Sequence, residues 1–326
     1  RGPRHGKADG VERAAAQAKK SEECLQRYPN RNVLLFIHMI DPHTPYIEAK
    51  SFRHRFEKRT PKELKKRVIG QKVVQKALQR AKNEDQQDEI RQYLIDRYDQ
   101  NILAVDAAFG EVLQQVGNDA VVVLTSDHGE EFFEHGGFEH GHTLFDEVLR
   151  VPLLIRAPGL APHRVAAPTT SMDIVPTVLS LLEQPGLASP PHGTIGLSLV
   201  DAAVAATNSE DPLNARPLAI GFTIRGNDQW GTVIGGKKWT SNAATESLYD
   251  LNLDPKEQDN LADRSDTNLE PYPDWLSVAL RRPVKRVLRI SAHPKARSLK
   301  NRKYRLEVKH PAGIQKAWIA NDVRKE

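Results

Sequence analysis

The sequence predicts an α/β fold, a largely parallel sheet covered by helices. Three observations carry that prediction. Residues 33–37 (V-L-L-F-I) and 120–124 (A-V-V-V-L) are short apolar runs of the kind that form buried strands. Leu94, Tyr98, Ile102, Val105, Phe109, Val112 and Val116 recur at steps of three and four, the spacing of a long amphipathic helix. Strand, long crossover, helix and strand is the order that builds such a sheet.

Taken along the chain, residues 8–26 carry a weak apolar stripe and predict one helix, ended by Tyr28-Pro29-Asn30. Residues 33–37 predict a buried strand, with His38 at its end as a buried, hydrogen-bonded structural histidine. Pro42 and Pro45 stop the strand and stiffen the loop that follows. Thr60-Pro61-Lys62-Glu63 has the form of a capped helix start. Residues 50–82 hold 13 Lys and Arg against two Glu. That run reads as a solvated surface hairpin of helices, or as a basic rim for an anionic substrate. Gly117 with Asn118 ends the long helix. After the strand at 151–155, residues 169–182 predict a helix with Pro176 in its first turn. Residues 184–196 predict a loop. Residues 218–249 predict short strands joined by turns at G-N-D and Gly235-Gly236. Further strands are expected at 284–291, 304–308 and 314–319. The expected domains are 1–205, the remainder of an α/β core, 206–270, a small antiparallel-sheet subdomain, and 271–326, a basic tail that forms part of an appended β domain.

Composition sets outer bounds. With 326 residues, 39% hydrophobic and 27% charged, the chain suits one large α/β domain and a smaller one. No run of about 18 apolar residues marks a membrane span. The net charge of +5 is mild, and no nucleic-acid partner is expected. Cys24 stands alone, which excludes an internal disulfide framework. Both ends read as cut, so the missing signal peptide carries no message about destination.

Between the apolar runs at 120–125 and 151–155 lies a Gly-rich polar loop. Asp127 and His128 follow directly on the first strand. A carboxylate and an imidazole can bind Ca²⁺, Mn²⁺ or Zn²⁺, and Gly129 permits a turn and a close backbone approach. His135, His140 and His142 alternate with glycines, and one or two of these rings could hold an anionic oxygen or protonate a leaving group. Glu130, Glu131 and Glu134 add negative charge that would suit a cation, and read foremost as the solvated first turn of a helix. His43 in Asp41-Pro42-His43 ends another predicted strand, and parallel strands would bring it to the same sheet edge as Asp127 and His128.

Four stretches in this order carry a resemblance. They are F-I-H-M-I-D-P-H-T-P-Y from Phe36, L-T-S-D-H-G-E-E-F-F-E-H-G-G-F-E-H-G-H-T-L-F-D-E-V-L-R-V-P-L-L-I from Leu124, S-M-D-I-V-P-T-V-L from Ser171, and S-L-Y-D-L-N-L-D-P-K-E-Q-D-N-L-A from Ser247. Over residues 8–263 the chain resembles the sulfatase family of the alkaline-phosphatase superfamily. The resemblance implies a three-layer α/β/α sandwich with a small C-terminal antiparallel sheet. It implies hydrolysis of a sulfate ester with one divalent cation, usually Ca²⁺, with Mn²⁺ or Zn²⁺ as alternatives. It places the metal pair on Asp127 and His128, and the histidine that contacts sulfate and leaving oxygen on His43. His140 or His142 takes the sulfate-binding role that a lysine often fills. The implied partner is a sulfated small molecule or glycan, and the implied location periplasmic, secreted or membrane-anchored.

The family's nucleophile motif, Cys-x-Pro-Ser-Arg, and its N-terminal acidic pair match nothing here; Cys24 is followed by Leu25-Gln26-Arg27. The expectation is a core sheet incomplete on its N-terminal side, with an apolar face uncovered, and a chain inactive by itself. Two other readings share the residues. One is a phosphodiester or phosphonate hydrolase, or a phosphotransferase, of the same superfamily. The other is a non-catalytic remnant that binds anions or glycans.

Overall fold

A computed structural model describes residues 13–47, 49–53, 55–56, 60–64, 68–162, 164–165, 168–182, 196–200, 216–221, 229–242, 245–279, 288–292, 304–310 and 313–319. In chain order its elements begin with α1 (Arg13–Arg27), β1 (Tyr46–Ile47), β2 (Val68–Ile69), α2 (Gln71–Arg80) and α3 (Glu84–Val116). Next come β3 (Val122–Thr125), β4 (Glu131–Phe132), β5 (Phe138–Glu139), α4 (Asp146–Leu149), β6 (Leu153–Arg156) and α5 (Ile174–Leu181). They close with β7 (Leu218–Gly221), β8 (Trp230–Ile234), β9 (Lys237–Ser241), β10 (Glu246–Asp250), α6 (Pro271–Ala279), β11 (Leu288–Ala292), β12 (Tyr304–His310) and β13 (Gly313–Ile319). The predicted loop at 184–196 and the G-N-D turn fall almost wholly outside the described residues.

Two compact units make up the chain. The first comprises Arg1–Val122, Glu130–His140 and Ile155–Gly159. The second comprises Val123–Gly129, Gly141–Leu154 and Leu160–Glu326. Strands β3 and β6 lie where the sequence predicts them and form a two-stranded sheet.

In the first unit α3 is the spine. Asn83 caps it by accepting from the Gln86 N–H at 3.1 Å, and Glu84 and Asp85 favour its positive end. Gly117, at φ +68°, ends it. Ala14 and Ala18 of α1 pack on Ala108 and Val112 of α3, and their small side chains let the two helices approach closely. A second core joins Tyr46, Leu64, Ile69, Val74, Ala77, Ile90, Tyr93 and Leu94.

The buried face of α3 differs in phase from the predicted stripe. Ile90, Leu94, Arg97, Asn101, Ala104, Ala108 and Val112 are buried, while Ile102 is exposed. The reason is polar. Arg97 donates to the Tyr46 carbonyl at 3.4 Å, and Gln100 accepts from the Ala49 N–H at 3.2 Å while donating to the Phe52 carbonyl at 3.1 Å. These side chains hold the irregular backbone after His43, and unpaired amides there would be costly.

Three more expectations are corrected in this unit. Residues 33–37 form no ladder among the described residues. Ile37 and Met39 pack toward α1 and α3, whereas Leu34 is 94% and Phe36 88% exposed. The period-2 alternation is present, but a strand also needs a neighbour to share its hydrogen bonds. His38 falls on the outward phase and is exposed rather than buried. The capped start at 60–63 yields one short 3-10 turn, Lys62–Leu64, and the helix begins only at Gln71.

In the second unit β10-β9-β8-β7 form a four-stranded antiparallel sheet, as predicted. Gly235 and Gly236, at φ +55° and +75°, close the β8–β9 hairpin in a two-residue turn that needs both positive angles. Trp239 and Leu248 of the sheet pack with Tyr272 and Leu276 of α6. Strands β11, β12 and β13 form a separate antiparallel sheet close to the three strands expected there.

The S-M-D-I-V-P-T stretch forms a 3-10 turn, Ser171–Asp173, opened by a Thr170–Asp173 capping box and continued as α5. Asp173 is fully buried. It accepts from Thr170 N–H at 2.9 Å, Leu197 N–H at 2.8 Å and Arg216 Nη1 at 3.0 Å, with a second contact from Arg216 Nη2. Two guanidinium nitrogens on one carboxylate make the buried charge affordable.

Candidate active site

Asp41 is buried and paired with Arg13 of α1, which ties the Asp41-Pro42-His43 loop to the helix layer. The peptide bonds Asp41–Pro42 and Thr44–Pro45 are both cis. The His43 N–H bonds back to the Ile40 carbonyl at 2.9 Å, closing the turn. The Nδ1 of His43 contacts the Thr44 carbonyl. A carbonyl only accepts, so Nδ1 carries a proton.

The neighbouring hairpin β4–β5 pairs Glu131 with Glu139 and Phe132 with Phe138. It replaces the helical turn expected at 130–134, and Glu130 and Glu131 are buried rather than solvated. Glu131 accepts from His135 N–H at 3.2 Å and Gly137 N–H at 2.6 Å, which fastens the hairpin's tip. Glu130 bridges two side chains. Its Oε2 accepts from Tyr46 Oη at 3.0 Å, and its Oε1 lies 2.8 Å from His140 Nδ1. Glu139, just before His140, sits at φ +72°, a strained angle for a side chain larger than glycine. The outcome is that the rings of His43 and His140 meet edge-on, 5.0 Å between centroids. Each offers a ring nitrogen within 4.8 Å of the other's.

Burial, and secondarily the charge of Glu130, pushes Tyr98 up to about 12 and Tyr46 further still. Both phenols therefore stay protonated, and Tyr46 remains a donor to Glu130.

Asp127, His128 and His142 belong to the second unit. The Asp127 side chain is 79% exposed and accepts from the His128 N–H at 3.1 Å. Ser126 Oγ donates to the His128 carbonyl at 2.7 Å. His128 Nδ1 lies 2.8 Å from the Gly129 carbonyl, which fixes the proton there, and Nε2 lies 3.7 Å from Asp127 Oδ1. The Gly129 N–H bonds the Val148 carbonyl at 2.7 Å, and a Cβ on Gly129 would fall 2.1 Å from the Glu147 carbonyl oxygen. The close approach expected of this glycine is therefore present.

Downstream, Lys238 is buried and donates to the Leu144 carbonyl at 3.0 Å. It also pairs with Asp146 and Glu257, each at 2.6 Å. Glu257 also accepts from the Asp146 N–H at 2.7 Å, capping α4. Burial raises the Glu257 carboxyl, and Lys238 opposes that rise. This cluster clamps the stretch after His142 to β9 and to the D-P-K-E stretch. It borders a pocket of about 110 Å³ lined by Thr143, Phe145, Thr240, Asn242, Tyr249 and Glu257.

The family model described as Sulfatase matches residues 14–184, more than half of the chain. The chain belongs to the sulfatase family. Choline-sulfatase of Rhizobium meliloti is 29% identical over 174 residues, which cover 51% of this chain and 32% of that protein. Arylsulfatase K of Mus musculus is 31% identical over 172 residues, 48% of this chain and 30% of that protein. Endo-4-O-sulfatase of Bacteroides thetaiotaomicron is 37% identical over 90 residues, 26% of this chain and 18% of that protein. The sulfatase chain thus spans about a third or less of the curated relatives it matches. A protein solved in complex with its substrate D-glucosamine-2-N,6-O-disulfate superposes with a TM-score of 0.52 at 17% identity, covering 80% of this chain and 62% of that one. That likeness speaks for the fold.

A sulfatase implies a divalent cation, and Asp127 with His128 fits one. The pair offers a hard oxygen and an imidazole nitrogen, with the ring's other nitrogen oriented by a backbone carbonyl, as metal-binding histidines usually are. Two ligands of one ion, each about 2.0–2.5 Å from it, lie roughly 3–4 Å apart. The 3.7 Å between Asp127 Oδ1 and His128 Nε2 falls in that range. Sequence reasoning read Glu130 as a solvated turn and did not single out Tyr46. The signal available was their place inside the matched stretches, not their residue type.

Proposed function

We propose that the protein carrying this chain hydrolyses sulfate esters using one divalent cation, Ca²⁺ in the usual family pattern and Mn²⁺ or Zn²⁺ otherwise. The observation that carries this reading is the pairing of His43 with His140, both held through Nδ1. When bound, the cation neutralises charge building on the sulfate oxygens. Asp127 and His128 supply two of its ligands. In the form with both ring nitrogens protonated, His43 donates its Nε2–H to the ester and delivers that proton to the departing oxygen, and His140 donates its Nε2–H to a non-bridging sulfate oxygen. His142 is the second candidate for that last role. The three-layer α/β/α arrangement, with residues 206–270 as a C-terminal subdomain, belongs to the same proposal.

A sulfated glycan is the proposed substrate class. The 13 Lys and Arg in residues 50–82 support it, since clustered cations draw in polyanions. The test compares turnover of an aryl sulfate, a sulfated glucosamine and an aryl phosphodiester, each with and without a chelator. Chelator-sensitive release of sulfate, with little phosphodiester cleavage, is expected. Faster phosphodiester cleavage would transfer the assignment to phosphoryl chemistry.

A further inference from the structure

Glu130 is buried, ionisable and unused in the mechanism above. Its side chain is 3% exposed, yet both carboxylate oxygens are engaged, one by the Tyr46 hydroxyl and one by His140 Nδ1. We infer that Glu130 is a positioning residue that holds a proton on His140 Nδ1 with Nε2 turned to the site, and that Tyr46 fixes Glu130 in turn.

For a Glu130 carboxylate the hydrogen bonds fit one assignment of protons. Tyr46 is packed among Tyr98, Phe132 and Phe138, where its hydroxyl keeps its proton and donates. A carboxylate accepts on both oxygens, so the proton between Glu130 and His140 resides on Nδ1. The strained φ of +72° at Glu139 aims His140 from the hairpin toward this carboxylate, and Glu131 pins the tip of the same hairpin. Tyr46 is fixed from behind by Arg97, so the line Arg97, Tyr46, Glu130, His140 runs from the α3 spine to the site. It is a carboxylate–histidine pair in which the ring does the contacting and the carboxylate sets the tautomer.

The inference rests on His140 belonging to the site, but its test needs no turnover. The ring ¹⁵N shifts of His140, assigned with a His140→Gln variant, report which nitrogen carries the proton. Among neutral rings in the native chain the Nδ1–H form should predominate by about tenfold, the ratio expected of one charge-assisted hydrogen bond. An unconstrained neutral imidazole favours Nε2–H, so Glu130→Ala should reverse the preference, and Tyr46→Phe should reduce it. Predominant Nε2–H in the native chain overturns the inference, whether or not Glu130→Ala folds. A folded Glu130→Ala chain with unchanged tautomer populations overturns it equally. Absence of sulfatase activity in the unaltered protein, with these tautomers as expected, would count against the reaction and leave the positioning role standing.

Discussion

Glu130 Oε1 lies 2.8 Å from His140 Nδ1, and the same carboxylate accepts the Tyr46 hydroxyl at 3.0 Å. Through that one side chain, the loop after His43 and the hairpin that carries His140 become a single construction. A residue that reads as a solvated helix turn is instead what links the loop after His43 to His140.

If the two histidines share the anion and the leaving oxygen, each is separately necessary. His43→Gln and His140→Gln should each lower kcat for sulfate release by about 10²–10⁴. The double variant should lose less than the product of the two, because groups that act as a unit are not additive. Steady-state kinetics on an activated aryl sulfate measures this. Unchanged kcat in His140→Gln together with a collapse in His142→Gln would move the sulfate-holding role to His142.

Gly129 should tolerate no side chain. A Cβ there would sit 2.1 Å from the Glu147 carbonyl oxygen and break the 2.7 Å bond to Val148. Gly129→Ala is expected to destabilise by about 1–3 kcal/mol. It should also misplace Asp127 and His128. Native protein with Ca²⁺ at about 100 Kd should gain roughly 2.7 kcal/mol, seen as a rise in Tm. Gly129→Ala and Asp127→Ala should lose that gain. A full Ca²⁺ response in Asp127→Ala would rule Asp127 out as a ligand.

Asp173 and Arg216 should be inseparable. Arg216→Met strands a fully buried carboxylate with backbone amides alone, at an expected cost of about 3–5 kcal/mol by urea unfolding. Arg216→Lys should recover only part of it, since one ammonium cannot bind both oxygens. A loss under about 1 kcal/mol would show that the pair is solvated.

Alkaline unfolding should follow Tyr46 and Tyr98. In the unfolded chain tyrosine ionises near 10.0, whereas Tyr98 in the fold is pushed up to about 12 and Tyr46 further. Between those values the unfolded state holds fewer protons, so stability falls as pH rises. The contribution is complete below pH 10.0 and is lost as pH climbs toward about 12. Tyrosinate absorbance and circular dichroism should therefore change together, and Tyr98→Phe should move the midpoint upward. Ionisation of all tyrosines ahead of unfolding would contradict the burial.

Much of this was legible in the residues. Period and punctuation placed the long helix, its Gly117 end, β3, β6 and the hairpins of the second unit, because backbone geometry and local apolar spacing act over a few residues. The strand at 33–37 failed because a ladder needs a partner, and sequence spacing cannot supply one. The phase of α3 slipped because Arg97 and Gln100 are buried by what they bond, not by what they are.

The sequence by itself determined the family, through four stretches in order, and the candidates His43, His140, His142, Asp127 and His128. Only the tertiary structure decided that His140 lies against His43, that Glu130 and Tyr46 stand behind it, and that Arg216 closes on Asp173. Those partners are 10 to 97 positions apart in the chain. Whether a polar side chain is solvated or buried depends on which distant segment covers it, and a buried charge persists only where that segment brings its counterpart.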